Sequence, residues 1–525
     1  MKRTGLAQTL RTPGVLLGMV GMLCLGITVL SQDLLPNGGL DQVEALRWLR
    51  AHVLHPIVGR VLAVAGVALL FWGWIKLRPA VQPRLNHGLI LALWSLPVLL
   101  APPIMSTDAF LYADQGWIIG QGLDPYQVGL TDAGGPFAVS VHPAWHHTTA
   151  VYPPAALFVQ YLVASGTGYQ GLISVVAMRI PALLAVAVIA LIVPRVARLL
   201  GVNAETAKWF AVTNPFLLIH FVGGMHNDIW MIALVLVAVW VTLRYGIGGM
   251  VLGAVLVGLG AGFKQPGIAA AIAIGLLPVA ERLRTMALGR RLLTMLAYCT
   301  TTMLIAVASY VGLSFAIGYE FLGWRKSTSI HAQVWGMSPA STFEQVVGPI
   351  VKRVLGIEVE LLPAISTATT VLSVVFGAYF AWRYFFADRL GGIRIRPRSV
   401  LITDAGETPE QVRSWRDYPI RWMAWAFMAL AFGGAGYHGW YLLWGGVYLG
   451  MLRYGNRVLR TLVAVLIACA TVECGLEYLH LRPVTGYLLG ATLAWIFWVN
   501  SSALQIVPEP EPNDWASEAE EAKTA

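Results

Sequence analysis

Three carboxylates, Asp108, Asp114 and Asp124, stand among Tyr112, Trp117 and Tyr126 in the stretch Met105–Tyr126, MSTDAFLYADQGWIIGQGLDPY. The segment this stretch opens, Ser106 to Val151, contains no Lys or Arg. Carboxylates beside aromatic faces and away from cations can accept a proton from a reacting group or hold a metal, and no ligand set here requires a metal. Three other places put polar groups in apolar surroundings: His226, Asn227 and Asp228 in LLIHFVGGMHNDIWM, Lys264 in GAGFKQPG, and His438 with Trp440 in GAGYHGWYLLW. Ionisable groups at membrane depth are costly and mark cavities and pathways. Plainer roles stand beside these. Asp108 could cap a helix with Thr107, His226 and Asp228 could form a satisfied polar turn, and Lys264 could snorkel to the interface. Asp114, six residues after Asp108, would point away from it on a helix. His142, His146 and His147 have neither HxxxH nor HExxH spacing and read as a solvated loop.

The elements that must position these groups are membrane helices. Of 525 residues, 57% are hydrophobic and 12% charged, with a mean hydropathy of +0.66, which is a polytopic membrane composition. Apolar runs recur at 14–30, 57–75, 88–105, 172–194, 207–223, 229–243, 248–262, 266–280, 292–317, 363–382, 420–436, 438–453, 461–477 and 483–500. The expected fold is all-α, with about 13–14 transmembrane helices in one domain over 1–505. The first run follows Lys2, Arg3 and Arg11 without a clean cleavage site and is read as a helix. Cys24, Cys299, Cys469 and Cys474 lie in or near apolar runs without CxxC spacing and read as buried thiols. The acidic, proline-interrupted tail 506–525 is expected to be disordered and cytoplasmic.

The run over 152–166 begins YPP and is short for a span. If it does not cross, 26 of the 36 basic residues fall on the inner side; if it crosses, only 13 do. The positive-inside rule therefore favours a non-spanning segment. Loops 106–151 and 318–361 are then outer, 383–419 is cytoplasmic, and Asp108, His226, Asp228, Lys264 and His438 share the outer side. The net charge of +9 reads as topology, with no nucleic-acid partner implied. There is no GxxxxGK[ST] and no strand-borne GxGxxG to cradle a nucleotide, and no soluble domain that could hold a nucleotide-sugar fold.

The run TDAFLYADQGWIIGQGLDPY followed by YPP, then NPFLLIHFVGGMHNDIWMIALVLVA, GAGFKQPG and GWYLLW, resembles the actinobacterial polyprenol-phosphate-mannose-dependent alpha-1,6-mannosyltransferases of lipomannan synthesis. The resemblance covers roughly 85–455. It departs at His438-Gly439, where a proline often precedes the WYLLW element. It implies a GT-C-class membrane glycosyltransferase that uses a polyprenyl-phosphate sugar donor and a lipid-linked glycan acceptor, with no cofactor. It also implies a key acidic residue in the first large outer loop, at the position of Asp108. Asp108 would then be the base, with Lys264, and Arg325 or Lys326 as a possible second, facing the phosphate. Asp114, His226 and Asp228 would orient sugar hydroxyls, while Trp117, Tyr126 and Trp440 would stack on sugar faces. Tyr112, Asp124 and His438 complete the expected binding set. A lipid-linked sugar flippase is the competing reading, weakened because the polar groups gather at one face.

Overall fold

The computed structural model describes residues 5–31, 44–325, 327, 338–356, 361–386, 415–433 and 437–507. Most of the loop expected over 383–419, nearly all of the expected tail, and Lys326 lie outside them. Among the described residues every regular element is a helix. Five are long and apolar enough to cross a bilayer: Pro56–Lys76, Gly171–Leu199, Asp228–Ala261, Leu288–Ile317 and Asn456–Glu477. Shorter apolar helices run over Pro13–Thr28, His87–Val98, Pro154–Gly166 and Gln265–Leu276.

Several expected runs form as broken helices. The apolar stretch over 207–223 splits into Ala204–Ala211 and a wide π-helical turn, Leu217–Gly223. Pro215 cannot donate the bond that would join them, and the Asn214 side chain accepts from the Phe216 amide instead. The run at 438–453 becomes a 3-10 turn, Gly439–Tyr441, and a helix, Leu442–Leu449. Hydropathy registers apolar content and is blind to such breaks, which in a membrane occur where backbone is buried in protein or lines a cavity. The Pro154–Gly166 helix has 13 residues. At 1.5 Å per residue it is about 20 Å long, short of a hydrocarbon core of about 30 Å.

Pro13–Thr28 and Pro56–Lys76 pack backbone to backbone through glycines: a Cβ at Gly21 would come within 2.8 Å of the Gly66 carbonyl. Small residues permit such closeness, and van der Waals contact supplies the cohesion that water cannot supply inside a bilayer. Trp74 and Trp209 stack at 4.4 Å and exchange hydrogen bonds, each indole N–H donating to the other residue's carbonyl. That pair ties the second helix to the segment entering the π-turn. Arg179, fully buried, donates to the carbonyls of Val222, Gly223, Leu99 and Pro102. It thereby satisfies the irregular backbone on which the His226 turn rests.

Asp228–Ala261 is two limbs joined at Gly246, whose φ of 62° reverses the chain. The limbs run back along each other, with Gly253 against Thr242 and Ala238, and Gly260 against Met231. The expected runs 229–243 and 248–262 are these limbs. Their return carries Lys264, just past the second limb, back to Asp228 at the start of the first.

Candidate active site

Asp108 is the first residue of the Asp108–Gly120 helix. Its amide donates to the Ser106 hydroxyl oxygen at 3.1 Å, so a neighbouring hydroxyl satisfies that N–H and the Asp108 carboxylate is left to face inward. The side chain keeps 14% exposure while His226 beside it has none. His226 Nδ1 lies 3.3 Å from Asp108 Oδ2, and the Tyr112 hydroxyl donates to the same oxygen at 3.4 Å. Tyr112 follows by one helical turn, so both groups lie on one face. The Tyr152 hydroxyl in turn donates to Tyr112 at 3.4 Å, and its ring meets Tyr112 edge-on.

The second half of the cluster is the Lys264–Asp228 pair, with Nζ 3.5 Å from Oδ1. Trp444 donates its indole N–H to the same Asp228 oxygen at 2.8 Å. Lys264 reaches the Tyr441 hydroxyl at 3.4 Å and sits over the rings of Tyr152, Tyr441 and Trp444. A cation so enclosed, by one carboxylate and three aromatic faces, stays charged without bulk water. Tyr152 touches both halves, through Tyr112 on one side and Lys264 on the other. Trp440 stacks on His226 at 3.5 Å between ring centres, and His438 stacks on Trp440 at 4.3 Å.

The electrostatics follow. Burial drives the Asp108 carboxyl upward, but His226 beside it, with His438 and Lys264 nearby, outweighs burial and holds it below its ordinary value. Burial pushes His226 down against the pull of Asp108. Lys264 is lowered by burial but raised overall by Asp228 and Tyr441. The cluster therefore presents a carboxylate beside His226 at one end and an ammonium beside Asp228 at the other. That set suits removal of a proton from a hydroxyl at one end and stabilisation of a growing negative charge at the other.

The structure thus brings together Asp108, Tyr112, His226, Asp228, Lys264, His438 and Trp440. Others stand apart. Asp114 is buried on another face of its helix and accepts from the Thr131 amide at 2.9 Å. Burial lifts it to about 6. Asp124 accepts from the Tyr126 amide two residues on, an Asx turn, and Tyr126 donates to the Tyr152 carbonyl at 2.8 Å. Trp117 stacks edge-on against Tyr169, and Arg325 is exposed. His142, His146 and His147 are occupied by local bonds to Ala144, Val141 and Asp132. Sequence reasoning left out Tyr441 and Trp444, which belong to the WYLLW element, and Glu473, one of two carboxylates inside the apolar run 461–477. It named Tyr152 only as the start of the YPP run read as a non-spanning segment.

A model of the family described as "Alpha-(1->6)-mannopyranosyltransferase, N-terminal domain" matches residues 15–280. Alpha-(1->6)-mannopyranosyltransferase A of Mycobacterium tuberculosis is 32% identical over 288 residues, covering 53% of this chain and 54% of that protein. The protein of the same name from Corynebacterium glutamicum is 35% identical over 236 residues, 42% of this chain and 48% of its own. A probable alpha-(1->6)-mannopyranosyltransferase of Mycolicibacterium smegmatis is 29% identical over 347 residues, 59% of each chain. The chain spans about half the length of the curated relatives it matches. A solved oligosaccharyltransferase of Archaeoglobus fulgidus aligns with 66% of this chain and 47% of its own at 12% identity and a TM-score of 0.29. The family match contains Asp108, His226, Asp228 and Lys264; the loop bearing His438 and Trp440 lies beyond it.

Proposed function

This chain belongs to the alpha-(1->6)-mannopyranosyltransferase family, and on that premise we propose that it moves a mannosyl residue from a polyprenyl-phosphate donor to a lipid-anchored mannan acceptor, forming an alpha-1,6 linkage at the outer face of the membrane. The observation that carries this reading is the juxtaposition of a base and a cation across Tyr152: Asp108 with His226 on one side, Lys264 with Asp228 on the other.

In the proposed step an acceptor hydroxyl oxygen attacks the anomeric carbon of mannose as the bond from that carbon to the phosphate oxygen breaks. The hydroxyl proton passes to Asp108, and the bonding electron pair leaves on the phosphate. A diester becomes a monoester, so charge grows on the leaving group, where Lys264 would meet it. A single displacement of this kind inverts a beta-linked donor to an alpha product. Asp228 and Trp444 fix Lys264, while Trp440 and Tyr152 offer aromatic faces to the sugar. The outer-face assignment is supported by the distribution of basic residues between the loops.

The experiment is transfer of radiolabelled mannose from a polyprenyl-phosphate donor by the purified protein in lipid nanodiscs containing a lipid-anchored mannan acceptor. Label in the acceptor, released by an alpha-1,6-specific mannosidase, is the expected result. If label crosses the bilayer of proteoliposomes but never enters an acceptor, the protein is a flippase and the reading fails.

A further inference from the structure

One helix end grips three of the segments that build the site. Glu473 lies near the end of Asn456–Glu477, one turn before Glu477 on the same helix, with its side chain 6% exposed. Its Oε2 lies 2.9 Å from His220 Nε2 in the π-helical turn, and its Oε1 accepts from the Gly439 amide at 2.6 Å. The fit at Gly439 is close: a Cβ there would meet Oε1 at 1.9 Å, so only glycine lets the backbone reach the carboxylate. A few residues further on, the Tyr478 hydroxyl accepts from the Met105 amide at 3.0 Å, three residues before Asp108.

The rings continue the connection. His220 lies 5.7 Å from Trp440, and Trp440 stacks at 3.5 Å on His226, which faces Asp108. A carboxylate placed inside the membrane is costly unless its oxygens are occupied. Here each has a partner, and both partners belong to segments that carry or support groups of the cluster.

We propose that Glu473 is a positioning residue: it latches the Gly439–Tyr441 turn and the His220 turn to one helix, so that Trp440 stays on His226 and His226 stays beside Asp108. Glu473 itself touches neither Asp108 nor Lys264 among the contacts described. The inference rests on the reading of Asp108 as the base, and one of its readouts does not depend on activity.

Three variants in nanodiscs test it: Glu473→Ala, Glu473→Gln and Gly439→Ala. Two readouts are taken on folded, monodisperse protein. The first is labelling of His226 by diethyl pyrocarbonate, read by peptide mass spectrometry with the exposed His147 as internal reference. His226 should be protected in the parent chain and in Glu473→Gln, whose amide oxygen can still accept from Gly439. Its labelling should rise at least fivefold in Glu473→Ala and Gly439→Ala. The second is transfer kinetics: kcat should fall 10- to 100-fold in those two variants with KM for donor within about threefold, and Glu473→Gln should stay within about threefold of the parent. Unchanged His226 protection in both disrupting variants overturns the latch whether or not the parent transfers mannose. Raised labelling with an unchanged kcat overturns the role in positioning. Raised labelling in the two disrupting variants, with the parent protected but without transferase activity, leaves the latch standing and sinks the mannosyl-transfer reading alone.

Discussion

Replacing Asp108 with Asn tests the chemistry most directly, because the change preserves shape and removes the basicity. An Asn oxygen can still accept from the Tyr112 hydroxyl that now reaches Asp108 Oδ2 at 3.4 Å, and His226 keeps its stack on Trp440. The cost should therefore fall on the chemical step. General-base catalysis contributes about 10²–10⁴ in rate, which at 1.36 kcal/mol per decade is about 3–5 kcal/mol of barrier. Transfer from a radiolabelled polyprenyl-phosphate donor, followed under saturating donor and acceptor, should drop by that factor while donor binding changes by less than about threefold. The pH profile of the parent chain adds a second constraint. Asp108 is held below its ordinary value, so the active carboxylate form persists as pH falls from 7 and is lost only below the ordinary carboxylate range. The acid limb should accordingly lie lower than for a free aspartate. An Asn variant that keeps more than about a third of parental kcat, or an acid limb near pH 6, refutes Asp108 as the base.

Lys264→Met removes the cation but leaves Asp228 bonded to Trp444. Its kcat/KM for the lipid donor should fall at least 10-fold, and an unaltered kcat/KM would remove Lys264 from the phosphate site. Asp114, lifted to about 6 by burial, binds a proton more tightly folded than unfolded, so its contribution to stability is greatest at low pH and declines as pH rises from about 4 to 6. Asp114→Asn should therefore raise stability by up to about 2–3 kcal/mol at pH 7.5 and by much less at pH 4.5, read as thermal or denaturant resistance in nanodiscs; equal gains at both values would refute the assignment. Arg179→Met strips four carbonyls of their donor, and the loss of folded protein after detergent extraction should greatly exceed that of an Arg198→Met control on the same helix.

The sequence carried the helical class, the break at YPP and the polar residues that meet around Asp108, because each of these is a local signal. Asp108 directly follows an apolar run, and HND, FKQPG and HGWYLLW all interrupt apolar runs with groups a bilayer penalises. The pairings were not legible. That Lys264 would meet Asp228 depends on a reversal at Gly246, and that Trp440 would cover His226 depends on a helix beginning at Asn456; neither relation has a local signature. Asp114 and Asp124 belong to the same acidic stretch as Asp108, but one helix phase and one Asx turn divert them to Thr131 and Tyr126. Glu473 did carry a signal, a carboxylate at membrane depth, but its partners came from segments 34 and 253 residues away.

The hairpin that pivots at Gly246 also constrains how this protein can change over generations. Asp228 and Lys264 stand at its two open ends, so their separation is set by the difference in length between the limbs rather than by either length alone. A residue inserted into one limb swings Lys264 about 100° around the helix and 1.5 Å along it, far enough to part the pair. An equal insertion in the other limb moves Asp228 outward by the same rise. Length variation here should therefore be tolerated only as matched changes on both sides of the pivot, and a library of single and paired insertions selected for growth would show whether Gly246 is the centre of that symmetry.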